Sequence, residues 1–190
     1  MTVGRAGFDR VHRQDIAGWS FAFGQSHYQL VGPPGWVVGS TLLTAHPDYF
    51  TTILWQQIVG NAVLTAHVTG SSAARAGVEL GIWCSGLAAP FGQGSLVMPF
   101  ANTLSETVIV ALPAALSAAD SMRHVLTAPD GDLQADAVLL NGQPLTLTAD
   151  GELRQYPIPG AAAPAASTIT LPAQSYGFVS FKATAAACTA

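Results

Sequence analysis

Apolar and polar residues follow two different rhythms on the two sides of Gly60. Within PDYFTTILWQQIV (47–59), four apolar side chains recur at helical spacing and form one stripe: Phe50, Ile53, Leu54 and Ile58. Pro47 suits the first turn of a helix, where its missing N–H costs nothing, and Gly60 is a typical C-terminal stop. The pattern therefore predicts one amphipathic helix over residues 47–59.

After Gly60 the pattern changes to short apolar runs separated by turn residues such as PDGD and NGQP. Strands are predicted at 62–68, 77–84, 95–102, 107–112, 123–128, 137–142, 167–171 and 176–183. The alanine-rich run PGAAAPAAS (159–167) is predicted as a surface loop. Short strands at this spacing are typical of a β-sandwich or barrel, so the chain is predicted to be mainly β.

The part of the chain before the helix is less regular. FDRVHRQ (8–14) has the partly alternating pattern of an extended segment. The stretch that follows, up to residue 40, is rich in glycine and carries five aromatic residues: Trp19, Phe21, Phe23, Tyr28 and Trp36. Loops of this length are usually functional or disordered, and the aromatic content favours an ordered functional loop.

Composition excludes several classes of protein. Of the 190 residues, 49% are apolar and only 9% are charged, which is the opposite of a disordered chain. The seven Lys and Arg residues are scattered and the net charge is −4, so no nucleic-acid partner is expected. No apolar run approaches the ~20 residues of a membrane-spanning helix. The first ten residues lack the apolar stretch of a signal peptide and lead almost directly into an extended segment, which suggests an incomplete sequence.

The two cysteines, Cys84 and Cys188, leave two readings open. They are either two buried free thiols or one disulfide that closes a loop of about 100 residues. A disulfide would indicate an oxidising compartment.

The polar residues offer few candidates for catalysis. The three glutamates, Glu79, Glu106 and Glu152, are predicted to be surface carboxylates, and the five histidines lack metal-ligand spacing. PDGD (129–132) is predicted as a turn rather than a calcium loop, and no G-x-S-x-G nucleophile turn is present. No metal or cofactor is expected. What remains is a constellation around the aromatic loop, where Gln14 and Tyr28 lie near a glycine-containing FGQSHY segment (23–28) suited to sugar hydroxyls and a carboxylate.

Several segments together resemble the C-terminal part of the heparanase-like proteins of glycoside hydrolase family 79. The matching segments are RQ (13–14), YQLV (28–31), PDYFTTILWQQIVGNAVL (47–64), SLVMPFANT (95–103), VLLNGQPL (138–145) and LPAQSYGFVSFKATAAAC (171–188). They occur in the family's order and roughly at its spacing. No single segment is diagnostic, but the ordered set covers nearly the whole chain.

The resemblance implies a β-sandwich preceded by the end of an incomplete (β/α)8 barrel. Residues 1–60 would be the barrel remnant, with 8–14 as its last strand and 47–59 as its last helix, and residues 61–190 would be the sandwich. The apolar stripe of the helix would then lie against a barrel that is not in this sequence. The resemblance also implies retaining hydrolysis of β-glucuronides by two glutamates on earlier barrel strands, so no catalytic residue is expected in this chain.

The resemblance further implies the substrate contacts and the state of the cysteines. Gln14, Ser26, His27 and Tyr28 would contact the substrate at the rim of the barrel, although Ser26 stands where the family has glycine. Cys84 and Cys188 fall where the family has a disulfide. The implied partners are a glucuronic-acid-containing glycan and the missing N-terminal barrel portion, and the implied location is extracellular, secretory or lysosome-like.

Two functions are therefore compatible with the sequence. The chain is either the C-terminal part of a heparanase-like endo-β-glucuronidase, inert on its own, or a non-catalytic β-sandwich module that binds glycan or protein. The helix distinguishes them, because an orphan barrel helix should leave its apolar stripe uncovered.

Overall fold

The structure, a computed structural model, describes residues 15–17, 29–32, 44–70 and 76–189. It is mainly β with antiparallel sheets, which confirms the predicted fold class. The strands are β1 (Asp15–Ala17), β2 (Gln29–Gly32), β3 (Thr44–Ala45), β4 (Val59–Leu64), β5 (Val78–Leu80), β6 (Ile82–Ser85), β7 (Ser95–Asn102), β8 (Val108–Ala111), β9 (Ser121–Thr127), β10 (Val138–Leu140), β11 (Gln143–Leu145), β12 (Ala161–Ala163), β13 (Thr168–Leu171) and β14 (Ser175–Thr184). The α-helices are α1 (Pro47–Ile58) and α2 (Ala114–Ser117), and the 3-10 helices are Pro129–Gly131 and Ala186–Cys188.

One large antiparallel sheet organises the described part of the chain. Its strand order is β11-β10-β9-β14-β7-β6-β4, with β12 also paired to β9 and β5 also paired to β7. The longest strand, β14, runs between β9 and β7 and pairs with both over most of its length. A separate two-stranded sheet, β8 with β13, lies over this large sheet.

Alternating side chains of the large sheet enter two hydrophobic cores, as the period of two of a β-strand requires. On β14, Phe178 belongs to the core that contains α1, whereas Val179 and Phe181 belong to the core beneath β8 and β13. Burial on both faces explains why the sequence of β7, SLVMPFAN, is a nearly continuous apolar run. The two layers packed on either side of one core make this half of the molecule a β-sandwich.

Helix α1 covers the other face of the large sheet. Phe50, Leu54 and Ile58 are buried and pack with Trp83, Val97 and Phe178 of the sheet. The expectation that this stripe would be uncovered is therefore wrong for these three residues, because the same chain supplies the apolar surface that buries them. Ile53 is only partly buried, and Asp48 and Gln56 are exposed.

The end of α1 differs from the predicted one. The helix ends at Ile58 and the backbone passes directly into β4 at Val59, so Gly60 is a strand residue and not a helix stop. A Cβ atom added at Gly60 would lie 2.8 Å from the carbonyl oxygen of Cys84 and 2.9 Å from that of Ser85. Glycine is required here because β6 approaches the backbone closely.

Most predicted strands are confirmed, with several differences. The strand predicted at 62–68 begins earlier and ends at Leu64, and β11 (Gln143–Leu145) was not predicted. The segment 77–84 is two strands broken at Gly81, and the loop predicted at 159–167 contains the edge strand β12. The stretch up to residue 40, predicted as irregular, contains β1 and β2, which pair in parallel. The barrel strand predicted at 8–14 lies outside the described residues.

In the part of the chain that the structure covers, no helix is long and apolar enough to cross a membrane.

Candidate functional site

The four predicted substrate-binding residues, Gln14, Ser26, His27 and Tyr28, lie outside the described residues, so their role stays a prediction. The structure does describe their chain neighbours. Asp15, which follows Gln14, is the ladder partner of Gln29, which follows Tyr28. Because β1 and β2 pair in parallel, the residues that follow Gln14 and Tyr28 lie side by side.

The three glutamates lie on separate elements and are all exposed. Glu79 is on β5, Glu106 lies between β7 and β8, and Glu152 lies in a turn closed by its backbone hydrogen bonds with Thr148. A glycosidase of this type needs two carboxyl groups facing each other across a substrate cleft. Among the residues described, no group of three or more His, Cys, Asp and Glu is arranged to hold a metal ion.

A cavity of about 270 Å³ lies beside the first turn of α1. Its walls are the start of α1 at Pro47, the ends of β7 and β9, the start of β14 and the segment 132–138. Tyr176 is the aromatic residue of the lining, and Asn102 and Gln174 also line the cavity. No pattern in the sequence predicts this cavity, because residues from four distant segments meet there.

Hydrogen bonds fix the side chains around the cavity. The Asn102 amide donates to the carbonyl oxygens of Glu106, Leu171 and Pro172, and its oxygen accepts from the Leu104 N–H at 3.1 Å. Burial raises the pKa of the Tyr176 phenol, while a hydrogen bond with the Thr51 hydroxyl lowers it and the Asp48 carboxylate raises it.

A buried histidine, His46, lies between the start of α1 and the segment that lines the cavity. Nδ1 of His46 lies 3.9 Å from a carboxylate oxygen of Asp136, which stands between two lining alanines. Burial lowers the pKa of His46, and the carboxylates of Asp136 and then Asp48 raise it.

A second polar junction joins α1 to the sheet. The Gln57 side chain donates to the carbonyl oxygen of Ile158 at 2.9 Å and accepts from its N–H at 2.8 Å. The same carbonyl oxygen lies 3.2 Å from Nε2 of His124, whose side chain is 0% exposed. The backbone of Ile158 is therefore hydrogen-bonded to side chains of both α1 and β9. The sequence analysis did not single out Gln57. The signal that could have identified it is its spacing, since it lies seven residues after Phe50 and therefore beside the apolar stripe.

Because the His124 imidazole is buried, we expect the protein to lose stability in acid. Burial lowers its pKa, although the hydrogen bond with Ile158 raises it, and the net shift is downward from about 6.5. Because the unfolded chain then binds a proton that the folded chain does not, stability is fully present above pH ~6.5 and falls as the pH drops towards the folded-state pKa. We expect the free energy of unfolding to fall by up to about 1.4 kcal/mol per pH unit from this group in that window.

Urea unfolding from about pH 7.5 to 5 measures this dependence. The variant His124→Gln keeps an amide donor without titrating, so its unfolding free energy should vary less with pH than that of the parent chain. His67→Gln, at an exposed position, is the matched control and should keep the parent slope. His46 is present in all three chains and cancels in the comparison. Equal slopes for His124→Gln and the parent would contradict the prediction.

The predicted disulfide is confirmed. Cys84 on β6 is bonded to Cys188 in the C-terminal 3-10 helix, with the two Cα atoms 5.3 Å apart and a sequence separation of 104. The described part of the chain contains no free cysteine. The bond attaches the residues after β14 to β6, which lies two strands away from β14 in the large sheet.

The fold and its one cross-link define a mainly β domain closed by a long-range disulfide, with a helix on one face. No protein family model matches the chain. It is similar to three curated proteins: heparanase of Mus musculus, at 32% identity over 138 residues; heparanase-like protein 2 of Arabidopsis thaliana, at 27% over 131 residues; and heparanase-like protein 3 of the same plant, at 25% over 151 residues. The matches cover 70%, 57% and 65% of this chain and 24%, 24% and 26% of those proteins.

These three matches confirm the predicted similarity to heparanase-like proteins. The chain spans about a quarter of the length of the curated relatives it matches.

Proposed function

We propose that this chain is the C-terminal portion of a heparanase-like glycoside hydrolase, with residues 1–60 completing a (β/α)8 barrel and residues 61–190 forming the supporting β-sandwich. One observation carries the proposal: the similarity extends over more than half of this chain but only about a quarter of each relative. The catalytic glutamates of the proposed reaction, retaining hydrolysis of glucuronide linkages in glycans, are assigned to barrel strands outside this sequence.

In this proposal Gln14, Ser26, His27 and Tyr28 contact the substrate at the rim of the barrel. The C-terminal ends of barrel strands carry the active site in this fold. Support comes from the parallel pairing of β1 with β2, since it joins the residues that follow Gln14 and Tyr28 in one ladder. Helix α1 then contacts the sandwich through its buried stripe, which leaves the side with Asp48 and Gln56 for the barrel.

The proposed partner is a glucuronic-acid-containing glycan. The seven Lys and Arg residues are spread along the chain rather than clustered, so a sparsely charged glycan is at least as suitable as a heavily sulfated one. The Cys84–Cys188 disulfide supports an oxidising location, which we propose to be extracellular, secretory or lysosome-like.

Aryl β-glucuronide hydrolysis tests the catalytic assignment. The 190-residue chain alone should show no turnover above the uncatalysed rate, because its glutamates are exposed on separate elements. The triple variant Glu79→Gln, Glu106→Gln, Glu152→Gln should behave identically. When the coding sequence upstream of Met1 supplies a barrel with two catalytic glutamates, the combined protein should be active, and the triple variant of it should keep that activity. Turnover by the chain alone that the triple variant abolishes would contradict the assignment.

A second function is supported by the burial of the helix stripe. Phe50, Leu54 and Ile58 are covered by the large sheet of the same chain, as expected of a module that folds by itself. Such a module would bind glycan or protein without catalysis. The hydrolysis assay of the combined protein separates the two proposals, because a non-catalytic module should show no turnover even when the upstream coding sequence is included, whereas a barrel completed by residues 1–60 should hydrolyse the glucuronide.

A further inference from the structure

The cavity beside α1 has the walls of a small-ligand site that the proposed catalytic reaction does not use. With a volume of about 270 Å³ it lies just below the usual range for small-molecule pockets, so it suits one ring rather than a chain. It is built mainly from sandwich residues, and Pro47 of α1 closes one side.

The cavity combines an apolar floor with a polar wall. The apolar part consists of Tyr176, Leu133, Val138, Pro47 and four alanines. The polar residues are Asn102, Thr103, Thr127, Asp132, Gln174 and Ser175. The Asn102 amide and the Thr103 and Ser175 hydroxyls already hydrogen-bond main-chain groups. The polar groups for a ligand are therefore those of Thr127, Asp132 and Gln174. A pyranose ring has the matching surfaces, since its C–H face packs on an aromatic ring and its hydroxyls exchange hydrogen bonds with such groups.

The charges around the cavity favour neutral over acidic sugars. Asp132 is the one formally charged side chain among the described residues that line the cavity, and no Lys, Arg or His is among them. Asp48, Asp136 and His46 are immediate chain neighbours of lining residues, and burial lowers the pKa of the His46 imidazole, which favours its neutral form. A uronate or sulfated sugar would meet like charge here without a cation to offset it, so a neutral sugar is favoured.

We propose that this cavity binds a single neutral sugar ring. The residues that line the cavity are not the rim residues proposed for glucuronide hydrolysis, and the site would give the sandwich its own contact with a glycan that carries both neutral and acidic sugars. The inference does not rest on the proposed catalytic function, since it concerns binding by the 190-residue chain alone.

Titration of the ¹⁵N-labelled chain with a matched pair of probes tests the proposal. Methyl β-glucopyranoside and methyl β-glucuronide differ only at C6, where the second carries a carboxylate. We expect the glucoside to shift the backbone amide signals of Ala128, Leu133 and Tyr176, with a dissociation constant at least about tenfold lower than that of the glucuronide. Methyl β-galactopyranoside serves as a second neutral probe.

Two variants and one control locate the binding. Ala137→Phe places a ring in the cavity and should weaken glucoside binding at least about tenfold. Gln174→Gly removes a polar wall group at a position with φ of +47°, which glycine adopts readily, and should weaken binding severalfold without distorting the backbone. Ala165→Phe, an equally exposed alanine outside the cavity, should leave binding unchanged. Near-ultraviolet circular dichroism checks that each variant is folded.

The results separate clearly. Glucoside-induced shifts at the cavity that Ala137→Phe or Gln174→Gly reduces, and Ala165→Phe does not, support the proposal. No shifts with either neutral probe, shifts away from the cavity, or equal or tighter binding of the glucuronide would overturn it. Failure here leaves the glucuronide hydrolysis of the combined protein untouched, and loss of that hydrolysis leaves the sugar titration of the chain alone untouched.

Discussion

Replacing Gly177 with alanine is expected to lower the free energy of unfolding by at least about 3 kcal/mol, a loss large enough to unfold a marginally stable domain. Gly177 is buried on β14, opposite Val125 of β9 and Phe100 of β7, with φ of +151°. A Cβ atom at this position would overlap the backbone carbonyl oxygen of His124. Because the clashing atom is main chain within the central sheet, a side-chain rotation cannot relieve the overlap.

Gly70→Ala is the matched control for this substitution. Gly70 has nearly the same φ, +145°, but an added Cβ would meet nothing within 4 Å. The control therefore carries the conformational cost of about 1 kcal/mol without the overlap. Urea unfolding of both variants measures the difference. Equal losses for the two variants would show that the close approach of β14 and β9 is not what requires glycine.

Breaking the Cys84–Cys188 disulfide is the second change with a large expected effect. The bond closes a loop with a sequence separation of 104 residues, and the entropy of the unfolded chain that it removes is worth about 4–5 kcal/mol. We expect the variant Cys84→Ala, Cys188→Ala to lose roughly this much unfolding free energy. Loss of the bond also frees the residues after β14 from β6.

Reduction of the parent chain gives an independent measurement of the same bond. A phosphine reductant should lower the urea midpoint of the parent to about that of the double variant and leave the double variant unchanged. Thiol labelling followed by mass spectrometry confirms that both cysteines have been reduced. A fully reduced parent chain with an unaltered midpoint would contradict the prediction.

The helix and the strands of the sandwich were predictable because each depends on a local pattern. Phe50, Leu54 and Ile58 recur at helical spacing whatever they pack against, and β7 coincides with its predicted span, 95–102. The surface that covers the stripe was not predictable, because Trp83 and Phe178 meet α1 only after a sheet of distant strands has formed. Gly60 was misread for the same reason: its role depends on the approach of β6, and its own sequence neighbours do not show it.

The candidate sites also differ in whether the sequence could predict them. The predicted substrate contacts, Gln14, Ser26, His27 and Tyr28, rest on the resemblance and lie outside the described residues. The disulfide also came from the resemblance, since two cysteines alone left free thiols possible, and the structure shows it formed. The cavity beside α1 could not be predicted from any segment, because its walls come from residues between Pro47 and Tyr176.

The sequence by itself determined the mainly β character, the amphipathic helix that begins at Pro47 and the similarity to heparanase-like proteins, because composition, periodicity and short matching segments can be read directly from the chain. Only the tertiary structure decided which surface covers the helix, which backbone positions require glycine and where a cavity forms. These features arise from contacts between residues as far apart as Gln57 and Ile158, which hydrogen-bond across 101 positions. Local patterns do not encode such pairings, since many arrangements of the same strands would satisfy them equally well.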